Sequence, residues 1–474
     1  MSGELWRWSA TELAQAIGSR QISSREAVAS ALERLEAVNP HINAVVDVLA
    51  EEALIAADQA DAAMHRGRTV GPLHGVPVTV KINVDYAGRP TTTGVVAFRN
   101  TIAAADSPSV ANWRKAGAII IGRTNVPAFC ARFFTDNDLH GRTLNPWSPT
   151  HTPGGSSGGA AAALAAGIGA LAHGTDRAGS IRYPSYACGV FGLRPSFGRA
   201  PAYSENASVE ATLASQLMSV QGPLARTVAD LRLGLQTLAE RDPRDPWWAP
   251  APLGQPAEKR TLRIALFAGT PGATIDPAVS DALLNAARWL EDAGHRVEEA
   301  TPPYFSESAE LFFSMVKTEE GEGTSKAIAQ LGDEALRRAR SGTMARAKKF
   351  TLEEYVEALG RRTNILRAWQ LFFERFDVLL LPVSYKLPVP IDEDQKGNEA
   401  VAAMLDAHQP MLAVSTLGLP GLSAPTGVSD GLPVGVQLVS GRFREDLCLQ
   451  AAAVLEARNS ITTPIEPILS QTRQ

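Results

Sequence analysis

The chain has 474 residues, 45% of them hydrophobic and 20% charged, which supplies enough apolar side chain for a large buried core. Its 45 basic and 50 acidic residues give a formal net charge of −5, so the basic footprint of a nucleic-acid-binding protein is absent. Cys130, Cys188 and Cys448 form neither a CxxC pair nor a disulfide framework, and the eight histidines show no paired ligand spacing; a reducing cytoplasmic setting and no metal are expected.

The opening residues carry Glu4 and Arg7 and no apolar run, which does not read as a signal peptide. Ser9-Ala10-Thr11-Glu12 and Ser23-Ser24-Arg25-Glu26 both fit capping boxes. The second opens an amphipathic run through Val28, Leu32, Leu35 and Val38, which Pro40 is expected to end. Residues 76–84 are mostly β-branched and apolar and read as a buried strand containing Lys81. A helix and then a strand over 118–121, closed by Gly122, follow; residues 125–153 read as loop. The Ala-rich stretch 160–166 reads as a helix, with Gly158-Gly159 offering backbone N–H groups at its start. Residues 159–172 are too few to span a bilayer, which takes about 20, and read as a buried core helix.

A further short strand is expected within 187–198. Residues 241–259, rich in Pro, Asp and Trp, are the best linker candidate and read as a surface crossover. A second α/β pattern then places a strand at 262–267, a helix at 277–293 closed by Gly294, and a strand from Val297. Residues 306–376 are largely helical, 376–381 a strand closed by Pro382, and 434–439 the last clear strand. Strands interleaved with helices throughout predict an α/β body around one sheet.

Three residues draw attention for chemistry. A serine hydroxyl becomes a nucleophile once a base takes its proton, and a lysine amine is such a base when burial disfavours its ammonium form. Lys81 lies in an apolar strand, Ser156 in Gly154-Gly155-Ser156-Ser157-Gly158-Gly159, and Ser180 at the end of Gly174-Thr175-Asp176-Arg177-Ala178-Gly179-Ser180. Each also has an ordinary reading: an edge-strand lysine reaching water, a loop cap, and a turn before Ile181. The Gly/Ser run matches G-x-S-x-G as well, with His295 or His408 available as a base. That nucleophile elbow needs a strand directly before the serine, where this chain has Pro146, Pro149 and Pro153.

These runs, with Gly71-Pro72-Leu73-His74-Gly75-Val76-Pro77-Val78-Thr79-Val80-Lys81, Gly122-Arg123-Thr124-Asn125-Val126-Pro127 and Gly222-Pro223-Leu224-Ala225-Arg226, resemble the amidase signature family. The resemblance runs in order along the chain and is weakest over about 305–400. It implies one large domain over 1–474: a central mixed β-sheet flanked by helices on both faces, a signature core over about 70–230, and a variable, mostly helical pocket region over about 305–400. It also implies a Ser-Ser-Lys triad that hydrolyses small amides, carbamates or esters through an acyl-enzyme. Ser180 would be the nucleophile, Ser156 the bridging serine after a cis peptide bond, and Lys81 the base. Backbone amides of Arg177, Ala178, Gly179 and Ser180 would hold the oxyanion, supported by Ser157, Asp176 and Arg182. No metal or cofactor is implied, and the partner is a small-molecule substrate, with the chain as a monomer or homodimer.

The chain departs from the family pattern at several places. Ile82 stands where an aspartate is usual, Ala178 where a glycine is usual, and Arg123 and Ala128 replace a lysine and a glutamate. With Tyr183, these departures speak against the alternative, the amidotransferase A-type subunit that acts on aminoacyl-tRNA. Phe133, Phe134, Tyr186, Phe312, Phe313 and Met315 are candidates for an apolar substrate pocket.

Overall fold

The computed structural model describes residues 4–68, 70–206, 210–254 and 260–468. In chain order the strands are β1 (Val45–Val48), β2 (Pro77–Lys81), β3 (Ile119–Thr124), β4 (Leu171–Asp176), β5 (Phe191–Arg194) and β6 (Val220–Ala225). They continue as β7 (Arg263–Leu266), β8 (Arg296–Glu299), β9 (Val378–Pro382), β10 (Gly421–Ser429) and β11 (Leu432–Val439). All eleven join one sheet in the order β1-β3-β2-β4-β6-β5-β10-β11-β9-β7-β8. The sheet is mixed: β3, β2 and β4 run parallel, β4 to β9 pair antiparallel, and β9, β7 and β8 run parallel again.

Side chains alternate between two helical layers, as the two-residue period of a strand requires. Val78, Val80 and Ile120 face a core that includes Trp113, Leu231 and Leu290. Ile119 and Ile121 face the opposite core, with Val28, Ala161 and Leu164. The fold is thus a single α/β domain with a large mixed sheet covered on both faces. No helix among the described residues is long and apolar enough to cross a membrane.

Both capping boxes form, at Ser9/Glu12 and Ser23/Glu26. Pro40 lies inside the second helix, Ser24–Ile42; Asn43, left-handed at φ 49°, ends it instead. Residues 159–172 are a helix only to Ala165; the chain turns and re-enters the sheet as β4 at Leu171. β3 runs through Gly122, because the absent side chain lets β1 close in: a Cβ there would meet Val45 Cγ1 at 2.5 Å. The helix Arg182–Cys188 and strands β1, β4, β6 and β10 were not expected from the sequence. β4, β6 and β10 contain Gly174, Gly222-Pro223, and Gly421 with Pro425, which hide the strand pattern; burial in the sheet interior overrides local propensity. The helical region divides into Phe305–Glu319, Glu322–Leu331, Glu334–Arg346 and Leu352–Arg375.

Candidate active site

Lys81 ends β2, between β3 and β4 in the sheet interior, and is fully buried rather than at a wet edge. Its Nζ lies 2.7 Å from Ser156 Oγ and 2.7 Å from Thr175 Oγ1. Burial pushes the Lys81 ammonium below its ordinary range, opposed only in part by Cys130 and Asp176.

Ser156 sits in the loop before the helix Gly158–Ala165 and follows a cis peptide bond from Gly155. Gly155 has to be glycine: a Cβ would lie 2.5 Å from the Arg132 carbonyl oxygen. Ser157 ties the two serine runs together. Its amide donates to the Ser180 carbonyl at 3.2 Å, and its hydroxyl donates to the Thr175 carbonyl at 3.3 Å. Ser180 is 9% exposed. No hydrogen bond joins the Ser156 and Ser180 hydroxyls among the described residues; the two serines are neighbours through Ser157.

Asp176 is the anchor of the Ser180 loop. Its carboxylate accepts from Arg182 Nε at 3.0 Å and Nη2 at 3.0 Å, from Arg194 Nη1 at 3.1 Å, and from the amides of Gly179 at 2.9 Å and Ile181 at 3.2 Å. Burial alone would raise its pKa; the Arg182 and Arg194 charges prevail and hold it well below the usual carboxylate range. Arg182 in turn reaches the Met411 carbonyl, Gln437 Oε1 and Ser415 Oγ at 3.0, 2.7 and 2.7 Å.

This corrects one part of the expected oxyanion set. The Gly179 amide is already given to Asp176, so it is not free for a ligand. Gly179 serves the turn instead, at φ +113°, where an added Cβ would meet Met411. Among the described residues the amides of Arg177, Ala178 and Ser180 have no acceptor. Ala178 needs no left-handed backbone, and its methyl packs on the cluster of Phe312, Met315 and Ala413. The Arg177 side chain donates to Ser215 Oγ at 3.2 Å.

Of the pocket candidates, Phe312 and Met315 share the Ala178 cluster, whereas Tyr186 is buried with its hydroxyl on the Lys386 carbonyl. Phe134 is buried with Val389 and Met404. Phe313 also packs on the Ala178 cluster and lines a cavity of about 360 Å³ with Ser314, Lys348 and Leu412. Phe133 meets His408 edge-on, with ring centroids 4.6 Å apart. That histidine bonds Ser384 Oγ, and His295 accepts from the Leu262 amide, so neither serves a serine of the Gly-rich loop. Together with the strandless approach to Ser156, this removes the nucleophile elbow. The departures are structural: Arg123 bonds Asp47 at 3.0 Å and the Pro90 carbonyl at 2.7 Å, and Ile82 is buried.

Sequence reasoning missed Thr175, Arg194 and Gln437. Thr175 lies inside a motif already singled out and Gln437 inside the strand expected over 434–439; Arg194 comes from β5 and carries no local signal.

A mixed sheet that buries a lysine 2.7 Å from a serine of a Gly-rich loop is the setting of a candidate hydrolase site. The chain belongs to the amidase family, whose model matches residues 26–449. It is 45% identical over 460 residues to the indoleacetamide hydrolase of Bradyrhizobium diazoefficiens, covering 97% of this chain and 88% of that protein. It is 34% identical to the A-type subunit of the glutamyl-tRNA(Gln) amidotransferase of Moorella thermoacetica, over 96% of this chain and 97% of that one. The crystal structure of a bacterial aryl acylamidase of the amidase signature family superposes with a TM-score of 0.80 at 28% identity, over 96% of each chain. The chain is therefore an enzyme that hydrolyses carbon–nitrogen bonds of amides.

Proposed function

We propose that Ser180, Ser156 and Lys81 form a proton relay that hydrolyses small aryl or arylacetic amides through an acyl-enzyme on Ser180. The observation that carries this reading is the sealed Lys81 amine 2.7 Å from Ser156 Oγ. Neutral Lys81 takes a proton from Ser156 as Ser156 takes one from Ser180, and Ser180 Oγ attacks the amide carbon. The Ser156–Ser180 hydrogen bond forms with substrate in place, as catalytic contacts commonly tighten only in the complex. The free amides of Arg177, Ala178 and Ser180 hold the oxyanion; losing one such donor costs about 2.7–4 kcal/mol. Ser156 returns its proton to the leaving amine, the C–N bond breaks, and water repeats the sequence to release the acid.

The reading assigns no cofactor and has the chain working as a monomer or homodimer, in a cytoplasmic setting. The names of its relatives favour aryl substrates, and the apolar cluster beside Ala178 suits them. Esters and carbamates would share the attack step. The test is the purified chain, without partners, assayed on indoleacetamide, an anilide, a carbamate and an ester. Hydrolysis should be abolished in Ser180→Ala and fall by roughly 10²–10⁴-fold in Ser156→Ala. Full activity in Ser180→Ala would remove the assignment; activity only with added subunits and tRNA would favour the amidotransferase alternative.

A further inference from the structure

β2 loses its ladder to β4 just before the lysine: Val78 and Thr79 pair with Leu171 and Ala172, and no later residue does. The Ile82 amide donates to the Thr124 carbonyl on the β3 side, so the Lys81 amide, one residue earlier, points toward β4. Among the described residues no strand carbonyl meets it there. The imidazole of His173 takes its place, with Nδ1 3.5 Å from the Lys81 amide nitrogen. His173 is fully buried on β4, two residues before Thr175. Its Nε2 lies 2.8 Å from Gln221 Oε1 on β6, and its ring packs edge-on against Trp113 at 6.2 Å.

The protonation of this ring follows from its partners. A backbone amide only donates, so Nδ1 has to present its lone pair, and the proton sits on Nε2, where Gln221 accepts it. Resting on the relay proposed above, we propose that His173, fixed in this neutral tautomer by Gln221, is a positioning residue for Lys81. β4 then holds the lysine at two points: His173 at the backbone nitrogen and Thr175 at Nζ. A second proton on the ring would set N–H against N–H and release the first point. The titratable group that faces His173 is Lys81 on β2; Gln221 on β6 and Trp113 on the helix Pro108–Lys115 do not titrate. Burial, with Lys81 adding to it, brings the ring down to about 4, so it stays neutral where the enzyme would work.

The experiment compares His173→Leu, His173→Asn and Gln221→Glu for kcat, KM and pH dependence of amide hydrolysis. His173→Leu should lower kcat by about tenfold or more with KM within about twofold, and His173→Asn, which restores an acceptor near Nδ1, should recover most of it. Gln221→Glu places a carboxylate on Nε2, raises the pKa of the ring, and should move the acid limb of kcat to higher pH. The same charge also raises Lys81, so the double variant His173→Asn/Gln221→Glu should show a smaller shift. Wild-type kcat and acid limb in folded His173→Leu and Gln221→Glu would overturn the inference, as would equal shifts in Gln221→Glu and the double variant. If His173→Leu does not fold, the two Gln221→Glu profiles decide. Persistent hydrolysis in Ser180→Ala, by contrast, would sink the relay itself and not this positioning role alone.

Discussion

A lysine sealed from water and facing two hydroxyls does not keep its ordinary proton affinity, and that change is also a statement about stability. The unfolded Lys81 holds its proton up to about 10.5, whereas burial lowers the folded value. Between the two values the unfolded chain binds more protons, so this residue opposes folding at neutral pH and the penalty fades as pH rises. Lys81→Met removes the effect. Unfolding measured from pH 7 to pH 10 should show the wild type gaining on this variant as pH increases; parallel curves would mean that Lys81 is charged in the folded protein. The same variant should lose amide hydrolysis by roughly 10²–10⁴-fold, and wild-type hydrolysis should fall on the acid side as Lys81 protonates. Asp176 does not cause that fall, because its two arginines keep it ionised well below the usual range.

At the level of elements, the loop between β4 and the helix Arg182–Cys188 shows how a turn decides chemistry. Its path is set by the Asp176 carboxylate collecting the amides of Gly179 and Ile181, which leaves the remaining amides of the loop free. Gly179 permits the path at φ +113°, and an added Cβ would meet Met411 Sδ at 2.5 Å. Gly179→Ala is therefore expected to retain the fold and lose kcat, with a backbone cost of about 1–3 kcal/mol. Adding Met411→Ala relieves the side-chain contact and not the backbone. The double variant should recover only part of the rate, and full recovery would show that the methionine, not φ, sets the requirement. Ala178 behaves differently: its backbone is ordinary, so the methyl that departs from the family pattern is accommodated and adds to the apolar wall.

Across the whole molecule, Asp176 is also where distant parts of the chain meet. Arg182 and Arg194 converge on it, and Arg182 continues to Ser415 and to Gln437 on β11. Asp176→Asn leaves two guanidinium groups buried without a counter-charge, and should lower unfolding stability by about 3–5 kcal/mol together with activity. A near-wild-type melting temperature would show that solvent reaches this pair. The sequence by itself determined the α/β class, the two capping boxes and the helical region beyond residue 305, because periodicity and caps are local signals, and its resemblance to a family singled out the three side chains of the proposed relay. The tertiary structure alone decided that Lys81 lies in the sheet interior, that β4, β6 and β10 are strands despite their glycines and prolines, and that Gly179 gives its amide to Asp176. It alone brought Thr175, His173, Arg194 and Gln437 to the site. Those outcomes depend on which strands become neighbours, and burial between them overrides what any short stretch of sequence prefers.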